Sequence, residues 1–286
     1  MTFQPILSLL LSLALALANS AVYAADANSQ HDATIVSKSD IEWQPLNPKR
    51  GDKSPQAGML WGDIKTSGAS GFLVSFKEGF SSPPHIHNVS YRGVVIEGKI
   101  HNDDADAAKM WMPAGAFWTQ PAGESHITAA KENYNIAYIE IDNGPYLVKP
   151  VDDAFDSGER PVNIDPSNIV WLNASDVAWA SASIEDAKIA FLWGAPEHGK
   201  LRGTMLKLSA GFAGDIVSDA SEFRAVVIKG GLKYSVHDSE AVNTFEAGSY
   251  FGSNQPTKHN ISSMPDEETI LYIRTNNSYN INSKEK

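Results

Sequence analysis

The stretch Gly79 to Gly98, GFSSPPHIHNVSYRGVVIEG, sets His85 and His87 one residue apart, between a Pro-Pro pair and an apolar run. Imidazole is the side chain best suited to hold a transition metal or move a proton near neutral pH. In an extended chain, residues two apart project from one face, so both rings point inward if either does. The spacing equally suits two polar residues on the wet face of an edge strand, and the pair alone does not separate these readings. The chain has no cysteine. Disulfides, thiolate ligands and thiol nucleophiles are therefore excluded, leaving His, Asp, Glu and Tyr for any chemistry.

Short strands must position these groups, because helical periodicity is almost absent. Apolar runs such as GFLVSF, RGVVIEG, NIAYIEI, TMLKL, RAVVIKG and ILYIR are separated by Gly, Pro, Asn and Asp. This pattern predicts an all-β sandwich or barrel of short antiparallel strands. The 286 residues, 42% of them hydrophobic, suffice for one large or two modest domains and exclude global disorder. A net charge of −11 argues against nucleic acid and anionic membrane as partners.

An internal repeat organises the chain. MLWGDIKTSGASGFLVSFKEGF (59–80) aligns with FLWGAPEHGKLRGTMLKLSAGF (191–212), an offset of 132, and YRGVVIEG (91–98) continues without a gap into FRAVVIKG (223–230). Single insertions then bring Gly115 onto Gly248, His126 onto His259 and NIAYIEIDN (135–143) onto TILYIRTNN (269–277). The chain thus reads as two copies of one β domain, over 40–150 and 166–280, joined by a segment rich in turn formers. Ahead of them, residues 1–24 have the apolar core and small-residue end of a cleaved signal peptide, and 25–39 read as a flexible lead-in. The mature chain is expected to be periplasmic or secreted.

Gly79, five residues, His85, one residue and His87, closed by Gly98, resembles the first motif of the cupin superfamily. Gly115, five residues, Pro121, one residue, Gly123, two residues and His126 resembles the second. Tyr91 stands where the first motif has its acid, and Ala130 where the second has its asparagine. With the repeat counted, the resemblance implies a bicupin: two tandem cupin double-stranded β-helix (jelly-roll) barrels. It is similar to uncharacterised cupin-like proteins related to the metal-binding domain of anti-sigma factors. By this resemblance His85, His87 and His126 would hold one divalent metal ion (Zn, Mn, Fe or Cu). Three imidazoles with one position open is the arrangement of a catalytic rather than a structural metal site, and a closed sheet is expected to assemble it.

The departures from the motif bear on chemistry. Ionising a phenol at pH 7 costs about 4 kcal/mol, so Tyr91 is expected to be a neutral hydrogen-bond donor beside the metal, or simple packing, since Phe223 fills its place in the second copy. Glu124, two residues before His126, is a candidate ligand or general base, and Asn88 another neighbour of the metal. Three neutral imidazoles leave the metal's charge uncompensated, which favours an anionic ligand. In the second copy Val217, Asp219, Phe223 and His259 replace the site residues, so that copy is expected to be metal-free with an apolar pocket. Arg92 and Arg224, and the Trp-Gly pairs at 61–62 and 193–194, occur in both copies and are expected to be structural. His31, His101, His198 and His237 match no motif and are expected at the surface.

The resemblance implies a metal-dependent enzyme of dioxygenase or isomerase type on a small oxygenated substrate, with Tyr91 and Glu124 as its catalytic groups. The alternative is a non-catalytic ligand- or metal-sensing module; a storage role is a third. A homodimer is a further expectation, since cupin sandwiches pair through sheet faces or exchanged edge strands.

Overall fold

The structure is a computed structural model that describes residues 33–182, 187–237 and 239–284. The signal peptide and the lead-in as far as residue 32 lie outside the described residues.

Both copies build the same antiparallel seven-stranded sheet. In the first, the hydrogen-bonded order is Val162–Ile164, Phe117–Gln120, Tyr91–Glu97, Tyr134–Ile141, Ser70–Lys77, Gln56–Trp61 and Gln44–Pro45. In the second it is Ala33–Val36, Tyr250–Ser253, Phe223–Lys229, Thr269–Thr275, Arg202–Leu208, Ala187–Gly194 and Leu172–Asn173. Period-2 side-chain alternation explains why these strands are apolar throughout. Phe72, Val74 and Phe76 face the interior of their own copy, whereas Leu73 joins Met205, Val226 and Tyr272 in a core between the two large sheets. With both faces covered, strands such as GFLVSF lose the polar half of the alternation.

The repeated Trp-Gly pairs serve this inter-copy core. Register shifts between Met59 and Trp61, and between Phe191 and Trp193, place an equivalent bulge in each copy. The bulge lays each indole over a glycine: a Cβ on Gly71 would come within 2.1 Å of Trp61 Nε1, and one on Gly203 within 1.8 Å of Trp193 Nε1. Each indole then donates to a tyrosine, Trp61 to Tyr138 at 3.1 Å and Trp193 to Tyr272 at 2.8 Å. Arg92 stacks on Trp193 at 3.6 Å and Arg224 faces Trp61 at 5.3 Å, so both arginines bridge the copies.

Two segments do more than the sequence suggests. Residues 33–36, read as lead-in, are a strand paired with Tyr250–Ser253 of the second copy. Val162–Ile164, which precedes the second copy, pairs with Phe117–Gln120 of the first. Each copy thus lends its leading arm to the other's sheet edge, which removes an open ladder from both. Four residues flanked by polar sequence carry too little periodicity to reveal such pairing.

The second layers differ between copies. In the C-terminal copy it is one six-stranded sheet in which Ala213–Ser218 pairs continuously with Thr257–Ser263. In the N-terminal copy it is split into Ile127–Ala130, Lys99–Asp103 and Met112–Pro113 on one side and Ile86–His87 with Val148–Lys149 on the other. Only isolated bridges, Ser81 to Ala129 and His85 to His126, remain where the continuous ladder would run. Pro83 and Pro84 stand where the second copy has Asp215 and Ile216. Proline has no N–H to donate, so the pair lifts the strand off its neighbour and opens the layer at the histidines. The two tandem jelly rolls are thus present as double-layered sheets, and that of the N-terminal copy is not closed but gapped at the site.

Candidate metal centre

The structure brings His85, His87 and His126 together, with one ring nitrogen of each within 4.8 Å of the others. Backbone pairing sets this up. His85 and His126 face each other across a bridge and exchange both N–H···O bonds at 3.0 Å. His87 lies two residues further on, paired with Val148. The turn delivering His126 depends on Gly123, which sits at φ 77° and donates its N–H to the His87 carbonyl at 2.8 Å. A Cβ there would lie 2.4 Å from the Phe155 carbonyl oxygen, so only glycine fits.

The tautomers follow from the partners. Nδ1 of His85 meets the Pro83 carbonyl at 2.9 Å, that of His87 the Leu147 carbonyl at 3.1 Å, and that of His126 the Glu124 carbonyl at 3.2 Å. A carbonyl only accepts, so each Nδ1 carries the proton and each Nε2 presents a lone pair. Burial holds all three rings neutral: it lowers His85, lowers His87 well below the ordinary value, and takes His126 down to about 3. The neighbouring imidazoles push His87 and His126 further the same way. Three neighbouring neutral imidazoles with their Nδ1 protons engaged by carbonyls can hold a metal ion. Two nitrogens sharing an ion stand about 3 to 4 Å apart, so a small inward closure completes the grip.

Tyr91 is buried at the site, and burial raises its phenol. Its proton goes to a neighbouring side chain. The hydroxyl gives its proton to Asn102 Oδ1 at 2.9 Å and presents its oxygen 3.4 Å from His126 Nε2. Thr128 also donates to Asn102 Oδ1, at 2.7 Å; Asn102 Nδ2 donates to Gln120, and Gln120 to the Glu124 carbonyl that holds His126. The polar chain thus fixes both Tyr91 and His126.

Glu124 reaches His126 through its backbone carbonyl. Its carboxylate lies outside the trio and lines a separate surface cavity with Asp156 and Arg160. The two-apart rule fails here because residues 124–125 follow a turn and belong to no strand, so side chains do not alternate there. Asn88 likewise serves position: it donates to the Pro145 carbonyl at 2.9 Å and accepts from the Leu147 N–H at 2.8 Å. That clasp presents the Leu147 carbonyl to His87. His101, expected at the surface, is 1% exposed, on the strand Lys99–Asp103 of the second layer.

Tyr146 is the site residue that sequence reasoning missed. Its ring stacks on His87 at 4.3 Å and its hydroxyl donates to His87 Nε2 at 3.1 Å. It comes from the turn-rich joint between copies, and the available signal was an aromatic residue directly after the Gly144-Pro145 pair.

Above the histidines a cavity of about 380 Å³ opens between the layers, lined by Arg50, Val74, Phe76, Phe80, Trp118 and Val148 among others. The equivalent space in the second copy is packed shut. Phe223 stacks on His259 at 4.9 Å, Phe251 lies 4.6 Å from Tyr234, and Tyr234 and Ser253 occupy the two nitrogens of His259 at 2.9 and 3.4 Å. Among the described residues the first-copy trio is the group able to hold a metal.

Solved structures place this fold among the cupins. The chain is similar to a candidate dioxygenase from Nostoc punctiforme at 14% identity and TM-score 0.64, covering 87% of this chain and 84% of that one. It is similar to the Bacillus subtilis oxalate decarboxylase, a protein with Mn(II) centres, at 12% identity and TM-score 0.52, covering 85% and 77%. A 7S globulin of Momordica charantia matches at 9% identity and TM-score 0.55, covering 85% and 84%. At these identities the likeness concerns the fold. No curated protein matches the chain in sequence. Residues 34–282 match the family described as Domain of unknown function (DUF4437), and the chain is a member of that family built on the cupin fold.

Proposed function

We propose that the protein is an exported enzyme with one mononuclear metal centre on His85, His87 and His126, acting on a small oxygenated substrate. The observation that carries this reading is the state of the trio: every Nδ1 proton is taken by a backbone carbonyl, which leaves every Nε2 a lone pair, and one ring nitrogen of each histidine lies within 4.8 Å of the others. A divalent ion bound there supplies Lewis-acid polarisation of a carbonyl or enolate or, if redox-active, oxygen chemistry. The candidates are Mn, Zn, Fe and Cu, and the Mn(II) centres of a cupin relative make manganese the first to test.

The chain's own residues have separable tasks. The three imidazoles are neutral, so an anionic substrate gains the metal's full charge. Tyr91 and Tyr146 stand beside the ligands with burial keeping both phenols protonated, Tyr91 fixed through Asn102 and Tyr146 placed to meet whatever approaches His87. The apolar walls exclude water from the reacting end. Export rests on the character of residues 1–24.

The test is metal analysis of protein purified without chelator, followed by oxygen-uptake and spectral assays with enolisable and phenolic compounds. One metal per chain with turnover supports an enzyme. One metal with no turnover supports a ligand-binding module instead.

A further inference from the structure

His85 and His87 of the trio account for the floor of the cavity but not for its walls or mouth. Val74, Phe76, Phe80, Ile139 and Val148 line the sides. A ligand made of coordinating oxygens alone would leave this surface facing water. Arg50 lines the same cavity from an exposed position, its guanidinium carbon 5.6 Å from the Phe80 ring centre.

The partners of the other arginines show what is unusual here. Arg92, Arg160 and Arg274 pair with carboxylates, and Arg202 and Arg224 donate to backbone carbonyls. Among the described residues the Arg50 guanidinium has neither kind of partner. Asp52 and Glu78 lie near it around an adjacent surface hollow, yet neither forms an ion pair with it. A second polar group lies at the same space: Trp118 is 1% exposed, lines the cavity, and stands edge-on to Tyr91 with ring centres 6.5 Å apart. Its equivalent in the closed second copy is Phe251, which has no N–H.

Lone pairs at the floor, apolar walls and an unpaired cation at the mouth fit one class of molecule. We propose that the cavity takes an amphiphilic monocarboxylic acid: oxygen atoms at one end meet the histidine-held metal, an apolar body lies along Phe76, Phe80 and Val148, and the carboxylate pairs with Arg50. This deepens the metal-centre reading and rests on it for the metal end only. Arg50 suits the task because its fork can hold a carboxylate with two parallel bonds while its plane stays on the Phe80 ring.

Calorimetric titration with 3-phenylpropanoate and its neutral amide, 3-phenylpropanamide, tests the assignment on protein as purified and after chelation. The acid should bind about tenfold more tightly than the amide in both states. Arg50→Gln should erase that preference while leaving amide binding unchanged, and Phe80→Ala should weaken both probes together. Because Arg50 is exposed, its replacement does not threaten the fold. A preference that survives Arg50→Gln, or no preference at all, overturns the proposal. A preference that appears only with metal and ignores Arg50 puts the carboxylate at the trio, which overturns the inference and leaves the metal centre standing. An Arg50-dependent preference in a protein that holds no metal supports the Arg50 assignment and removes the metal centre.

Discussion

Glu140 and Arg274 are the same position of the repeat, and they meet each other. Glu140 is fully buried in the strand Tyr134–Ile141, and Arg274, 1% exposed in Thr269–Thr275, reaches Glu140 Oε1 at 3.4 Å. Arg274 also binds Asp142 at 2.5 Å and Glu222 at 2.6 Å, while Tyr138 and Tyr272 donate to the two Glu140 oxygens at 3.1 and 2.8 Å. A self-complementary pairing of two equal copies would place like charges together at this point. Exchanging one charge turns that clash into an ion pair and fixes which copy is which.

Breaking this pair on one side removes a buried opposite charge, although Glu140 keeps Arg92 at 3.6 Å and Arg274 keeps Asp142 and Glu222. Glu140→Gln or Arg274→Met should each lower unfolding free energy by roughly 3 kcal/mol, while the double variant recovers part of the loss. Urea unfolding of the four proteins measures the coupling. Additive losses would mean that the two residues do not act as a pair.

The metal centre should depend on residues that never touch the ion. Asn88→Ala releases the segment that presents the Leu147 carbonyl to His87, and should weaken metal affinity about tenfold in chelator competition without unfolding the protein. Glu124→Gln should leave affinity unchanged, because only the Glu124 carbonyl serves His126. A large loss in Glu124→Gln would return its carboxylate to the ligand set.

Tyr146 sits on the lone pair that a metal needs at His87. Tyr146→Phe removes that competing hydrogen bond, so affinity should hold or rise severalfold while ring stacking persists. A tenfold fall would instead make the phenol a ligand.

Acid stability follows from the buried imidazoles. His126 and His259 are both taken down to about 3 by burial, against 6.5 when unfolded. Between those values the unfolded chain binds more protons than the folded one, so stability is complete above about pH 6.5 and falls as pH drops towards 3, by about 1.4 kcal/mol per pH unit for each such histidine. His259→Gln should flatten the slope by about one proton in metal-free protein. Since His259 lies outside the trio, an unchanged slope would show that it is not neutral in the folded state.

Spacing made the histidines legible. Two-residue alternation placed His85 and His87 on one face, and the second motif supplied His126 at a turn that needs Gly123. The repeat revealed the tandem layout, because bulges, Trp-Gly pairs and strand lengths recur at a nearly constant offset. Tyr146 and the Leu147 carbonyl were hidden, since they come from a joint whose composition reads as turn and whose role exists only through pairing with Ile86–His87. Glu124 offers His126 its carbonyl, because residues 124–125 belong to no strand and the two-residue rule does not hold there. The exchange of Glu140 for Arg274 was visible in the aligned repeat, but its meaning depends on the copies facing each other.

The most direct test is the metal content of the wild-type chain and of a His85→Ala/His87→Ala variant, both purified without chelator. The wild type should carry about one divalent ion per chain and the variant almost none, with both folded. A folded wild type without metal, or a variant that keeps its full complement, would contradict the assignment of the three imidazoles as the ion's ligands.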